Sequence, residues 1–273
     1  MAFLDLRGFT LDFVRCCGGL FTTTAIARSK RCQPSWCSSM SEDLGDFAMQ
    51  PLSRVVSSAD MTWGAEDAIS SRPKVAVKIA ECIAEWSNIE TFLGVLLASL
   101  LGTEAKTAIS IFGAVENRSA QRRIVMAAGQ AKLSPDDYDL LEVIMRVAVA
   151  PVMRQRDKLA HWSWGTCAEL PDDLILQAPI HKTALHFTVW VDRQDHIANV
   201  DHVFVITEKY LGELVRDLRA AKHHISNFGA TIWPTSSQST RDQYRDKLLS
   251  EPRLRQAWER QKASRQKAPE APE

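Results

Sequence analysis

The chain lacks a net charge, because its 273 residues include 33 Lys and Arg side chains and 33 Asp and Glu side chains. A protein that binds nucleic acid through bulk positive charge needs a clear excess of basic residues. The balance therefore excludes a histone-like binder, and any anion-binding site has to be a local cluster of basic side chains. The hydrophobic content of 45% is ordinary for a globular protein.

The sequence also lacks a long apolar segment. Its longest apolar run, residues 92–101, has about half the length that a membrane-spanning helix needs. We therefore expect no membrane segment. Asp12 and Arg15 interrupt the apolar stretch near the amino terminus, which is not typical of a secretory signal peptide. The expected location is the cytoplasm.

Several motifs that carry well-known chemistry are missing. The sequence contains no Walker A motif, no GxGxxG after a strand, no GxSxG and no HExxH. It therefore lacks the residues of P-loop hydrolases, dinucleotide oxidoreductases, serine hydrolases and zincins. The six cysteines do not form two CxxC pairs, so reduced thiols are a better interpretation than a zinc site. We expect neither a metal site nor a cofactor.

The first part of the chain gives little structural signal. Residues 1–72 show no sustained helical or strand periodicity and are interrupted by Pro34 and Pro51. They are rich in Ser, Thr, Arg and Cys. We predict that they form a poorly ordered N-terminal extension.

A helical bundle is predicted from Pro73 onward. Proline suits the first turn of a helix, and apolar residues then recur every three or four positions as far as Gly102. Ser134 is a strong helix start because Pro135 and two acidic residues follow it. Pro151 is expected to kink or divide the helix that begins there. The predicted helices cover residues 74–101, 104–115, 119–133, 135–162 and 208–228.

The pattern changes after Gly165, where short alternating segments predict strands at residues 174–176, 184–191 and 200–207. The predicted fold class is mainly α. It is a helical bundle of about five helices with a small antiparallel β-hairpin or sheet inserted before the last helix. The expected division is a helical domain over residues 73–234, a β insertion at about 173–207, and a polar C-terminal tail over 235–273 that is partly helical or disordered.

The densest polar cluster lies at the end of the fourth predicted helix. Asp157 and His161 are four residues apart and share a face, and Arg154 lies three residues before Asp157 on the same stripe. An imidazole beside a carboxylate suits acid–base chemistry near neutral pH. A nearby guanidinium can bind a phosphate. The same spacing is also common in structural salt bridges.

Residues 156–161, Arg-Asp-Lys-Leu-Ala-His, resemble the Arg-x4-His motif of HEPN domains, the helical domains of many prokaryotic toxin, abortive-infection and CRISPR-associated ribonucleases. The usual form is Arg-Asn-x-x-x-His late in a bundle of four to five helices. The resemblance covers residues 73–164 and extends toward 228. Asp157 stands where the family usually has Asn. The first predicted helix supplies the acids and aromatic expected there, namely Glu81, Glu85, Trp86 and Glu90.

The resemblance implies a metal-independent endoribonuclease, a toxin or defence component, that acts on RNA. The 2′-hydroxyl would attack the adjacent phosphate, with His161 as general acid and base and Arg156 stabilising the phosphorane beside Asp157. Arg156 and His161 lie about 140° apart on an ideal helix. In the family, dimerisation compensates for this angular separation, so we expect a homodimer through helices one and four. An antitoxin protein is a further expected partner.

Other residues are candidates for binding RNA. Arg118, Arg122 and Arg123 form a basic cluster at the start of the third predicted helix, where they could hold a phosphate backbone. They could equally form a solvated face or pair with Glu90 or Glu116. Three residues around the motif complete the predicted RNA-binding set: Arg154, Lys158 and Trp162. The indole could stack on a base or fill the core.

Two alternatives to the enzyme stay open. The chain could be a non-catalytic helical dimer that binds RNA, a nucleotide or a protein partner. In the second alternative, Arg156 and His161 only join the fourth helix to its neighbours. A structure separates these alternatives by showing whether Arg156 and His161 meet in an open cleft or lie buried between helices.

Overall fold

The fold is given by a computed structural model. All of the residues it describes belong to one unit of the chain, residues 45–273. The described ranges are residues 49–56, 59–64, 67–179 and 202–267.

Proline and glycine set the ends of the longest helix, α1 (Pro73–Leu101). Pro73 is its first residue, and Gly102 ends it with a φ of 66°, a left-handed conformation that glycine adopts without strain. Most of the apolar positions predicted to share one face are buried, Trp86 and Ile89 among them. The prediction of this helix is confirmed.

Polar caps begin the next helices. Asn117 accepts a hydrogen bond from the backbone of Ala120 at 3.0 Å, and Ser134 accepts one from the backbone of Asp137 at 3.2 Å. Both satisfy backbone donors that the first turn of a helix leaves unpaired. The helices before Pro151 are α2 (Ala105–Gly113), α3 (Arg118–Lys132) and α4 (Pro135–Val143).

The fourth predicted helix is divided just before Pro151. A π-helical stretch, Ile144–Val149, follows α4, and α5 (Ala150–His161) begins after it. Proline has no backbone N–H and its ring clashes with the carbonyl four residues earlier. A π turn widens the helix by one residue and accommodates this conflict. The division before Pro151 therefore agrees with the sequence expectation.

A five-stranded antiparallel sheet lies beside the helices, with the strand order β1-β5-β4-β3-β2. Gly165 is required beside the edge strand that holds Trp63, because a Cβ atom there would lie 2.7 Å from Cε3 of Trp63 and 2.8 Å from the carbonyl oxygen of Thr62. The strands are β1 (Gln50–Pro51), β2 (Met61–Trp63), β3 (Ser163–Cys167), β4 (Leu170–Gln177) and β5 (Val203–Ile206).

The sheet differs from the predicted insertion at about 173–207. Its strands β4 and β5 fall within or beside that range, whereas β3 precedes it and β1 and β2 come from the segment expected to be an extension. Strands of two and three residues are too short to show a period of two, which explains why the sequence did not indicate them. The expected strand at 184–191 lies outside the described residues, as do residues 1–48 of the extension.

The last three helices complete the fold. Thr207 caps α6 (Glu208–Ile232) by accepting a hydrogen bond from the backbone of Tyr210, and α6 packs along α1. The region expected to be a polar tail forms α7 (Gln238–Leu249) and α8 (Pro252–Lys267). The described part of the chain thus has more helices than the five predicted, because the division before Pro151 adds one and the C-terminal region adds two.

The C-terminal helices are held by few apolar contacts and several ion pairs. Leu248 and Leu254 are fully buried. Asp136 at the start of α4 accepts a hydrogen bond from Nζ of Lys262 at 2.8 Å and pairs with Arg265. An apolar stripe this narrow gives little periodic signal. Among the described helices, none combines the length and apolar character needed to span a bilayer.

Candidate functional site

The motif residues lie on α5 and point in different directions. Arg156 is held against the bundle, with 14% of its side chain exposed, whereas His161 is the exposed last residue of the helix. Five residues of helix separate them by about 140°. No hydrogen bond or ion pair between them occurs in the described structure, so a single chain does not bring the two side chains together.

Arg156 and Arg118 share one carboxylate. Nη1 of Arg118 lies 2.8 Å from Oδ1 of Asp157, and Nη1 of Arg156 lies 3.4 Å from the same oxygen. Arg118 is the first residue of α3. Asp157 therefore joins the two basic clusters that the sequence separates by 39 residues.

Arg118 also reaches α1. Its Nε donates to Oε1 of Glu90 at 3.4 Å, and the indole N–H of Trp86 donates to the same oxygen at 2.7 Å. The guanidinium carbon of Arg118 lies 5.9 Å from the centre of the Trp86 ring, within reach of a cation–π interaction. We call these five residues, Trp86, Glu90, Arg118, Arg156 and Asp157, the Arg118 cluster. Its two guanidinium and two carboxylate groups sum to no net charge.

Two cavities adjoin the Arg118 cluster. A cleft of about 370 Å³ is lined by Glu90, Glu116, Arg118 and Gln121. A second, much smaller cavity of about 20 Å³ lies between Arg122 and the π-helical stretch, and it has room for roughly one water molecule. The larger cleft is therefore the place where a ligand can approach Arg118.

The three arginines of α3 are not equivalent. Arg118 belongs to the cluster, and Arg122 is half-buried beside it, where both line the small cavity. Arg123 is exposed and makes no ion pair within the described residues. The structure thus brings Arg118 and Arg122 toward the motif and leaves Arg123 on the solvated side. Arg118 pairs with Glu90, which is one of the alternatives that the sequence left open.

Lys158 and Trp162 form a separate contact. Nζ of Lys158 lies 5.2 Å from the centre of the Trp162 ring and 5.7 Å from that of Phe204. The two rings themselves are 5.8 Å apart. Burial, together with the nearby charge of Arg154, lowers the pKa of Lys158. Trp162 is therefore engaged with β5.

Two residues around the motif differ in their surroundings. Arg154 is exposed. Gln155 accepts a hydrogen bond from the Tyr210 hydroxyl at 3.1 Å, which ties α5 to α6. Burial raises the pKa of Tyr210, so its hydroxyl stays protonated and acts as a donor. No spacing rule relates residues 55 positions apart, so no sequence pattern could indicate this contact.

The two described cysteines are poor nucleophiles. Cys82 and Cys167 are buried, free thiols. Burial is the main cause that raises the pKa of Cys82 to about 12 and that of Cys167 to about 11. A thiol reacts as its thiolate, so neither is activated at neutral pH. Within the described ranges, no group of three or more His, Cys, Asp or Glu side chains is placed to hold a metal ion.

The geometry provides two half-buried arginines on one carboxylate, a cleft beside them, and an exposed histidine at the end of the helix that holds Arg156. Guanidinium groups bind phosphates, and an exposed imidazole can transfer protons. No protein-family model, curated protein or solved structure matches the chain, so the chemistry of the site rests on its own residues.

Proposed function

We propose that the chain is a HEPN-like, metal-independent endoribonuclease that acts through Arg156 and His161. One observation carries the proposal. Arg118 of α3 lies 2.8 Å from Asp157, inside the Arg-Asp-x-x-x-His stretch, so the two basic clusters of the sequence adjoin each other. A chain without net charge can in this way present guanidinium groups locally to an RNA phosphate.

The proposed reaction is an internal transfer at phosphorus. The 2′-hydroxyl loses its proton and bonds to the adjacent phosphorus, while the bond from phosphorus to the 5′-oxygen breaks and that oxygen gains a proton. The products are a cyclic 2′,3′-phosphate and a 5′-hydroxyl. His161 is suited to the proton transfers because its side chain is exposed and has no hydrogen-bond partner among the described residues.

Arg156 would stabilise the negative charge that develops on the phosphorane. Its present partner is Asp157, at 3.4 Å, while Arg118 holds the same oxygen at 2.8 Å. The longer contact is the easier one to exchange. A phosphate can therefore replace Asp157 on Arg156 while Arg118 stays held by Asp157 and Glu90.

A homodimer is part of this proposal. Arg156 and His161 diverge by about 140° on α5, so the histidine of one protomer would complete the site of the other. The expected interface is formed by α1 and the α4–α5 helix. Light scattering after gel filtration should give twice the mass of one chain. The RNA-binding role of Arg122, Arg123, Arg154, Lys158 and Trp162 and an antitoxin partner also belong to the proposal.

The lack of net charge in the Arg118 cluster favours a second function. Asp157 and Glu90 neutralise Arg118 and Arg156. A site of this kind can serve a non-catalytic dimer that binds RNA, a nucleotide or a protein partner through the cleft beside Arg118. This second function predicts that the chain binds its ligand without cleaving it.

The test is an RNA digestion with the full chain. His161→Ala should lower the cleavage rate by about 100-fold or more, the range for loss of a general acid–base group, and leave the dissociation constant for RNA within a factor of three. His223→Ala is the matched control, because His223 is also exposed but lies on α6. It should cleave like the wild type.

The same samples separate the functions. Equal cleavage by wild type and His161→Ala contradicts the role of His161. RNA binding that Arg156→Ala weakens, without cleavage by any variant, supports the non-catalytic function. If the wild type neither cleaves nor binds RNA, the ribonuclease proposal fails, and the non-catalytic function then requires a nucleotide or a protein partner.

A further inference from the structure

Another cavity lies away from the Arg118 cluster, between α1, α6 and α7. Its volume is about 420 Å³, within the range of small-molecule sites. Phe92 and Leu96 of α1 and Ile225 of α6 form its apolar wall. None of its lining residues belongs to the Arg118 cluster.

The polar groups of this cavity are hydroxyls. No charged side chain lines it among the described residues. Ser99 and Ser236 donate their hydroxyl protons to backbone carbonyls and Thr240 bonds to a neighbouring serine, so these three are occupied. Ser226 and Tyr244 have no hydrogen-bond partner in the described part of the chain. Two hydroxyls are thus available to a ligand.

A glycine provides a position from which the cavity can be filled. Gly229 lies on α6 and lines the cavity, and a Cβ atom added to it meets no atom within 4 Å. Glycine in a helix is destabilising relative to other residues, yet no close contact requires it here. Trp233 lies at the end of the same helix with 41% of its surface exposed, one of the few large apolar side chains left uncovered.

We propose that this cavity binds an uncharged, mainly apolar small molecule that carries a hydroxyl or carbonyl group. The apolar wall supplies burial, and Ser226 and Tyr244 supply hydrogen bonds that orient the ligand. A charged ligand is disfavoured, because the lining has no opposite charge to offset its loss of water. This inference is independent of the ribonuclease proposal.

The probe is 2-naphthol, a neutral aromatic alcohol, titrated into the full chain by calorimetry. Gly229→Leu places a side chain in the cavity and should raise the dissociation constant at least tenfold. Gly212→Leu is the matched control, since Gly212 lies on α6, has the same open space and does not line the cavity. It should bind like the wild type. Tyr244→Phe should weaken binding about threefold by removing one hydroxyl.

Naphthalene-2-sulfonate has the same ring and a negative charge, and it should bind at least tenfold more weakly than 2-naphthol. Ser226→Leu fills the cavity from another position and replaces Gly229→Leu if that variant fails to fold by circular dichroism. The proposal is overturned if the wild type does not bind 2-naphthol up to its solubility limit. Equal binding by wild type and the filled variants, or equal affinity for the sulfonate, also overturns it.

Discussion

The contact between α1 and α6 can be tested through one carboxylate, Glu85. Its side chain is 13% exposed and lies between two basic residues of α6. Nε of Arg219 donates to Oε1 at 2.8 Å, and Nζ of Lys222 donates to Oε2 at 2.7 Å. Glu85→Gln keeps the shape of the side chain and removes its charge. We expect the variant to be less stable, because both partners are cations.

The size of the loss follows from the pKa of Glu85. The hydrogen bonds from Arg219 and then Lys222 lower this pKa from 4.5 to about 2. At about 1.4 kcal/mol per pKa unit, the shift corresponds to about 3 kcal/mol. Arg219 is 51% exposed, so water screens its charge and reduces the benefit. The expected loss at neutral pH is therefore about 1–2 kcal/mol of unfolding free energy.

The effect should depend on pH in one direction. The pKa of Glu85 is lower in the folded state than its ordinary value of 4.5 in the unfolded chain. As the pH falls below 4.5 the unfolded chain takes up the proton first, which removes the stabilisation. The difference between wild type and Glu85→Gln should be constant at higher pH and shrink from pH 4.5 toward pH 2.

Urea unfolding at pH 7, 5 and 3.5 measures this difference. Glu81→Gln is the control, since Glu81 lies one turn earlier on α1 and pairs with Lys78 at 3.0 Å and with Arg219 only at 3.9 Å. Its loss should stay below about 0.5 kcal/mol. Equal stability of Glu85→Gln and the wild type at pH 7 would contradict this role of Glu85, as would a loss of unfolding free energy that is as large at pH 3.5 as at pH 7.

Three further predictions concern other parts of the chain. Asp157→Asn removes the negative charge that Arg118 and Arg156 share, leaves Arg118 paired with Glu90, and should tighten RNA binding at low salt in a filter assay. Unchanged affinity would count against the site. Gly165→Ala should lower the unfolding free energy by about 2 kcal/mol through overpacking, and a neutral result in urea unfolding would contradict the sheet packing. Asp136→Asn should speed amide hydrogen exchange in residues 252–267, and an unaltered rate would show that its ion pairs do not hold α8.

The helices were predictable because their signals are local. Pro73 and Gly102 mark the two ends of α1, and the hydroxyls of Ser134 and Thr207 cap helices within three residues of themselves. Pro151 likewise marks the division of the fourth helix. Each of these features depends on backbone geometry that neighbouring residues determine.

The sheet and the C-terminal helices were less predictable because they depend on distant partners. β1 contains only Gln50 and Pro51, and it exists through pairing with β5 more than 150 residues later. α8 owes its place to ion pairs with Asp136 as well as to buried leucines. A sequence pattern records which side chains are apolar, but not which distant charge faces them.

The candidate site contains one feature that depends on local spacing and one that depends on distant partners. Helical spacing correctly places Arg156 and His161 on one helix and also indicates that they diverge. The meeting of Arg118 with Asp157 depends on α1, which both α3 and α5 contact, and spacing along the sequence could not supply this arrangement. The result is local neutrality, since Glu90 and Asp157 balance Arg118 and Arg156 just as acids and bases balance over the whole chain.

The most direct measurement of the central proposal is the identity of the RNA ends after incubation with the full chain, determined by mass spectrometry. We predict cyclic 2′,3′-phosphate and 5′-hydroxyl ends that accumulate with the wild type and not with His161→Ala. It also predicts that a 2′-O-methyl group at the scissile nucleotide stops the cleavage. Intact RNA with the wild type, or the same ends at the same rate with His161→Ala, would contradict it.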